Sequence, residues 1–332
     1  MTAEPGEPRS PDSPARPTRT IVFGSGAFGV PILEAVVTAS EADVVAVVSA
    51  PDRAAGRRRT VTAAPVAARA RDLGLPLLQP DRVRAPDAVA DIVALRPELG
   101  VLADYGQIVP ASILDLPARG ILNVHPSLLP RHRGASPIPA TILAGDAETG
   151  VTLMRMDAGL DTGPIVAVDR WTLRGDETAP DLERTAAEAG AALVRATLGP
   201  WLRGELAATP QASDGVTLTR PLRREDGRLD PQRPARDLER QVRAYDPWPG
   251  AFLDSPVGRI IVRRARADPS ATGGSPAGTI GPGPDLRLAT GEGWLVLDEV
   301  QPGGGRPMSG DEFVRGRPSI IGAVVSAERG PA

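Results

Sequence analysis

The sequence predicts an α/β protein: a doubly wound, mostly parallel sheet followed by a smaller C-terminal β-barrel domain. Three observations lead there. Short apolar runs alternate with helical patterns in the first two-thirds of the chain, as repeated βαβ units require. Past residue 250 the pattern changes to short strands separated by Gly- and Pro-rich turns, which suits a small barrel. A length of 332 residues also exceeds the roughly 100–200 of one ordinary domain.

The elements follow in order. Residues 1–19 carry five prolines and several charges and are expected to be a disordered extension. Thr20–Phe23 is a strand ending in glycines, and Phe28, Ile32, Leu33, Val36 and Val37 then repeat with helical spacing. Asp43–Ser49 is apolar almost throughout, as in a parallel strand covered on both faces. Further strands are expected at Pro76–Gln79, Gly100–Ala103 and Ile121–His125, with helices at Ala64–Leu73 and Ala85–Leu95 between them. Thr149–Met156 and Pro164–Leu173 form a strand pair, and a helix over Ala179–Leu202 closes a first domain at 20–204. Residues 205–220 read as a polar linker. A second domain at 221–332 opens with a helix over Ala235–Tyr245, followed by strands at Arg259–Arg264, Leu286–Ala289 and Trp294–Val300.

Composition excludes several chemistries. The chain has no Cys, so it has no disulfide, thiolate metal site or cysteine nucleophile. All 38 basic residues are Arg, which removes the Walker-type lysine and every Schiff-base mechanism. With only His125 and His132, a histidine-rich metal centre is not expected. No apolar run approaches the roughly 18–20 residues that span a membrane, and the N-terminus lacks a secretory pattern, so a cytoplasmic protein is expected. A net charge of −3 leaves any nucleic-acid contact to local Arg clusters.

Gly24-Ser25-Gly26-Ala27-Phe28-Gly29 matches the G-x-G-x-x-G of dinucleotide sites, in the right place between a strand and a helix. That fingerprint also needs an acidic residue at the end of the second strand. Ser49-Ala50-Pro51 stands there instead, and Asp52 comes late in an Arg-rich loop. A glycine turn that lets the helix approach the sheet is the plainer explanation. An NAD-dependent oxidoreductase remains a remote alternative, as does a non-catalytic RNA-binding protein.

Residues 121–163 hold the chemistry. Asn123 and His125 are two apart on a strand, so both side chains share a face at its carboxyl end, where open α/β sheets bind ligands. An amide beside an imidazole can stabilise one developing oxyanion and move one proton. Asp157 and Asp161 are candidate partners, and a carboxylate beside His125 is expected to raise its pKa and orient its ring. His132 reads as an exposed loop residue. Ser127 as a hydrolase nucleophile lacks the G-x-S-x-G elbow.

The run from Asn123 through Ser127-Leu128-Leu129-Pro130 and Arg133-Gly134 to Gly159-Leu160-Asp161-Thr162-Gly163 resembles the signature of the tetrahydrofolate-dependent formyltransferases. The resemblance implies the Rossmann-like fold of that family, Asn123, His125 and Asp161 as catalytic trio, and 10-formyltetrahydrofolate as co-substrate, with no metal. It further implies that an amine attacks the formyl carbon, that Asn123 and a protonated His125 stabilise the oxyanion, and that Asp161 orients His125. Ser127, Leu128, Leu129 and Pro130 would form the folate-contacting turn, with Tyr105, Gly106 and Asp157 walling the pterin pocket.

Family members differ in their amine acceptor. Pro51–Arg59 and the stretch Arg240–Ala251 resemble those of the members that act on initiator methionyl-tRNA, and the first supplies Arg53, Arg57, Arg58 and Arg59 for acceptor-stem phosphates. In the second domain, residues 220–243 carry eight Arg and five acids, and 259–266 carry four Arg and no acid. The run Leu218–Pro231 departs from the tRNA-acting pattern and looks closer to sugar-nucleotide members. Methionyl initiator tRNA is the expected partner, an amino-sugar nucleotide the alternative acceptor, and a monomer the expected state.

Overall fold

Runs of β-branched residues punctuated by Gly and Pro become the expected alternation of strands and helices in the computed structural model, which describes residues 16–55 and 60–325. The chain begins with β1 (Thr18–Gly24), α1 (Gly29–Val37), β2 (Ala42–Val48), β3 (Arg53–Ala55) and β4 (Thr60–Thr62). Next come α2 (Pro65–Asp72), β5 (Leu77–Leu78), α3 (Pro86–Ala94), β6 (Leu99–Ala103), α4 (Ala111–Leu114) and β7 (Ile121–His125). Then follow β8 (Arg133–Gly134), α5 (Pro137–Ala144), β9 (Glu148–Arg155), β10 (Ile165–Thr172), α6 (Ala179–Arg203) and β11 (Leu218–Thr219). The last elements are α7 (Ala235–Ala244), β12 (Ala251–Ser255), β13 (Gly258–Asp268), β14 (Arg287–Ala289), β15 (Trp294–Pro302), β16 (Met308–Ser309) and α8 (Gly310–Gly316). Helices α2, α3 and α5 start with Pro in the first turn, where its missing N–H costs nothing.

The larger sheet has the order β10-β9-β7-β6-β1-β2-β5, and its β7-β6-β1-β2-β5 part is parallel throughout. β1 starts at Thr18, so Thr18 and Arg19 belong to the sheet rather than to the extension. Contacts group the described residues into two units. One holds those up to Val124 with Met154–Ala158 and Ala191–Ala208; the other holds His125–Leu153, Gly159–Gly190 and those from Thr209.

In the first unit Ile21, Phe23, Ala46, Val48, Ile92 and Ile121 centre a buried core. The G-x-G-x-x-G turn serves packing here. A Cβ on Gly24 or Gly29 would sit 2.9 Å from the Ala103 carbonyl oxygen and against the Val66 methyls, so only glycine lets these elements meet. Asp52 is engaged as well, accepting from Gln79 Nε2 (2.7 Å) and pairing with Arg71 (2.9 Å).

In the second unit the expected small β-domain is an antiparallel half-barrel, ordered β12-β13-β15-β14 with β16 beside β15. α7 buries Leu238, Gln241 and Val242 against its core, which also includes Leu253, Leu288 and Leu297. The Arg-rich stretch 220–243 is largely ion-paired: Arg220 lies 2.6 Å from Asp226 and Arg228 2.6 Å from Asp254, while Arg243 pairs with Glu239. Among the described residues no helix is long and apolar enough to cross a membrane.

Candidate active site

Strand β7 lies between β6 and β9, and every one of its residues is buried. The pleat places Asn123 and His125 on one side of it. Pro126 ends the strand, and a tight turn follows: Ser127 N–H donates to the His125 carbonyl (2.9 Å) and Ser127 Oγ donates to the Arg131 carbonyl (2.8 Å). Thr152 Oγ1, on β9, donates to the Ser127 carbonyl (2.7 Å) and accepts from Leu129 N–H (3.2 Å). Ser127 is fully enclosed and Leu129 buried, while Leu128 and Pro130 are half-buried.

The structure brings His125 and Asp161 together. His125 Nε2 lies 3.0 Å from the His132 carbonyl oxygen. A carbonyl only accepts, so Nε2 carries the proton and Nδ1 is the accepting nitrogen of the neutral ring. Nδ1 faces Asp161 Oδ2 at 3.8 Å, close enough for charge attraction but too far for a hydrogen bond. Asp161 Oδ2 accepts from Gly134 N–H (2.7 Å), which fixes the carboxylate in place.

The electrostatics reverse one expectation. Burial pushes the His125 imidazole below the usual histidine value of 6.5, and this outweighs the upward pull of the Asp161 charge and the His132 carbonyl. The sequence shows the carboxylate, whose pull is upward as expected, but not the enclosure, so a net rise in the His125 pKa is not what the fold provides.

His132 is the second correction. It is only 6% exposed rather than standing on an open loop. Its Nε2 is 2.7 Å from Asp146 Oδ2, its backbone N–H donates to Thr217 Oγ1 (2.7 Å), and its carbonyl meets His125. Residues 205–220 are correspondingly more than a linker. Thr209 and Ile165 exchange backbone hydrogen bonds (2.8 Å each), and β11 pairs in parallel with β8. Gln211, Thr217, His132 and Asp146 lie far apart in sequence and follow no hydrophobic period, so no sequence signal marked them.

Tyr105, in the first unit, is buried with its ring edge-on to Phe23, and its hydroxyl has no hydrogen-bond partner among the described residues. Gly106 adopts φ +76°, and Asp157 is exposed. Arg53 is exposed at the start of β3; Arg57, Arg58 and Arg59 lie outside the described residues. Among the described residues no cluster of three His, Asp or Glu is arranged to hold a metal ion.

A formyl transferase family model matches residues 18–197, and the formyl transferase C-terminal domain model matches 221–318. The chain belongs to the formyl transferase family. Within it, the methionyl-tRNA formyltransferase of Myxococcus xanthus is 43% identical over 299 residues, covering 90% of this chain and 95% of the relative. That of Roseiflexus castenholzii is 44% identical over 302 residues, covering 90% and 96%. The fold is similar to the crystal structure of an N-formyltransferase from Helicobacter canadensis in complex with folinic acid and dTDP-3-aminofucose. That likeness has a TM-score of 0.62 at 15% identity over 84% of this chain and 98% of that one.

Proposed function

We infer that the protein transfers the formyl group of 10-formyltetrahydrofolate to the α-amino group of methionyl initiator tRNA. The observation that carries this is identity of 43–44% along 90% of the chain to relatives named for that reaction, against 15% to the N-formyltransferase structure that holds dTDP-3-aminofucose. Formyl transfer from labelled co-substrate, offered methionyl initiator tRNA and an amino-sugar nucleotide in parallel, tests it. Label on the tRNA is expected; label only on the sugar would overturn the acceptor. We place the enzyme in the cytoplasm with its tRNA and read it as a monomer, which light scattering checks against the 34.6 kDa of one chain.

The chemistry we propose uses Asn123, His125 and Asp161. His125 rests neutral, with Nδ1 as general base. As the amine attacks the formyl carbon, Nδ1 takes the amine proton, and the Asn123 amide donates to the oxyanion that develops; collapse of that tetrahedral intermediate breaks the formyl C–N10 bond, and the His125 proton passes to N10 of the departing tetrahydrofolate. The imidazolium so formed lies between the His132 carbonyl and the Asp161 carboxylate, both of which favour its charge. No covalent enzyme intermediate is required. The turn over Ser127–Pro130 supports folate through its backbone and the two leucines, since the Ser127 hydroxyl is committed to Arg131. Tyr105, Gly106 and Asp157 are assigned to the pterin pocket.

Two predictions arise here. The chain has two histidines, so one His125→Gln spectrum assigns both imidazole signals in an NMR titration. The His125 signal is expected to titrate below 6.5. Because the unfolded ring protonates first on acidification, this residue withdraws stability as pH falls from 6.5 through the lower folded value. A titration above 6.5 would refute the neutral resting base. The second concerns Arg57, Arg58 and Arg59, which we assign with Arg53 to tRNA phosphates. Replacing those three with Ala is expected to weaken tRNA binding and lower the slope of log K against log salt by about two to three; an unchanged slope would remove the loop from the interface.

A further inference from the structure

Gln211 sits in the segment that composition marks as a linker, yet every hydrogen-bonding capacity of its amide is in use. Its Nε2 donates to the Asp161 carbonyl and to the Gly163 carbonyl, both at 2.8 Å. Its Oε1 accepts from Arg133 Nε (3.1 Å) and Nη2 (2.7 Å). The opposite amide orientation would set an oxygen against two carbonyls and an NH₂ against a guanidinium, so the network fixes the assignment.

These four bonds join two pieces of the site. One is the Gly159–Gly163 loop, in which Asp161 holds φ +50°, a left-handed conformation that a non-glycine residue keeps only when its surroundings impose it. The other is β8, where Arg133 is followed by Gly134, the residue whose N–H donates to the Asp161 carboxylate. The segment bearing Gln211 is itself anchored on both sides. Thr209 is hydrogen-bonded to Ile165, and Thr217 accepts through its carbonyl from Arg133 N–H (3.0 Å).

We propose that Gln211 is a positioning residue for formyl transfer: it bridges the Asp161 loop to β8 and thereby holds the Asp161 carboxylate opposite His125 Nδ1. This rests on the assignment of Asp161 to the catalytic trio. The main-chain carbonyl of Asp161 is tied by Gln211 and its carboxylate by Gly134, so rotation of the peptide out of the left-handed region is opposed at both ends of the residue. Loss of the Gln211 donors releases the tie at the Asp161 main-chain carbonyl.

Gln211→Glu separates the two halves of the bridge. The carboxylate keeps the Arg133 contact but has no donor for the Asp161 and Gly163 carbonyls. In the full-length protein, kcat and KM for both substrates are measured for Gln211→Glu, Gln211→Ala, Asp161→Asn and the Gln211→Glu/Asp161→Asn double variant, with thermal melting as a check on folding. Both Gln211 variants are expected to lower kcat by about 10–10²-fold, the scale of a catalytic group misplaced by an ångström, with each KM within about twofold. In the Asp161→Asn background Gln211→Glu should cost little more, because the group it positions is already disabled. An unchanged kcat in Gln211→Glu, or an equal fall in both backgrounds, overturns the proposal while leaving the trio intact. Wild-type turnover in Asp161→Asn overturns the trio assignment, and the positioning role with it.

Discussion

His125→Ala is expected to lower turnover by about 10²–10⁴-fold, the usual scale for losing a positioned acid–base group, while folate binding changes little. That range is about 2.7–5.5 kcal/mol of transition-state stabilisation. The substitution also empties a fully enclosed site and leaves the His132 carbonyl without its 3.0 Å donor, which costs stability on the order of 1–3 kcal/mol. The two effects separate experimentally. A folded variant that has lost some thermal stability still binds folate, whereas its chemical step has no proton acceptor. Folate titration by fluorescence and single-turnover formyl transfer on the same preparation provide both readings. Turnover within threefold of wild type would remove His125 from the mechanism.

Legibility in the sequence tracked the range of the interactions involved. β7 runs over Ile121–His125, as its apolar pattern and Pro126 indicate, because a central parallel strand is determined by local composition. α5 (Pro137–Ala144) has no place in the sequence reading: two prolines interrupt its pattern, yet Pro137 occupies the first turn and Gly145, at φ +64°, ends the helix. β12 was missed because Ala251–Ser255 has too few β-branched residues to stand out; its pairing with β13 makes it a strand. Of the proposed site, Asn123, His125 and Asp161 are legible through a dense motif. The residues that hold them are not. Gln211 reaches Asp161 across 50 positions and Thr217 reaches His132 across 85, and single polar contacts of that span leave no periodic trace. The direction of the His125 pKa failed for a related reason. Its sign depends on how completely the ring is enclosed, which is a property of the packed structure, whereas the carboxylate that raises it is written in the motif.

Asp161→Asn tests the charge apart from the geometry. The amide oxygen of Asn can still accept the Gly134 N–H that now holds Asp161 Oδ2 at 2.7 Å, so the loop keeps its anchor while the negative charge 3.8 Å from His125 Nδ1 is lost. Two unit charges near 4 Å interact by about 4 kcal/mol at an effective dielectric of 20, and desolvation and relaxation absorb part of that. A fall in kcat of about 10²–10³-fold follows at 1.36 kcal/mol per decade. It belongs in kcat rather than KM. In the proposed mechanism His125 is neutral at rest, and the charge of Asp161 is called on only as the imidazolium forms in the transition state. The same substitution moves the His125 titration in the opposite sense from any simple gain of basicity. Asp161 pulls that pKa upward against burial, so removing it lets burial depress the value further and shifts the acid limb of His125 titration to lower pH. The variant should therefore be slower at every pH while its histidine is neutral over a wider range. A rise in the His125 titration, or a loss expressed only in KM, would mean that Asp161 acts on substrate binding instead of on the protonated ring.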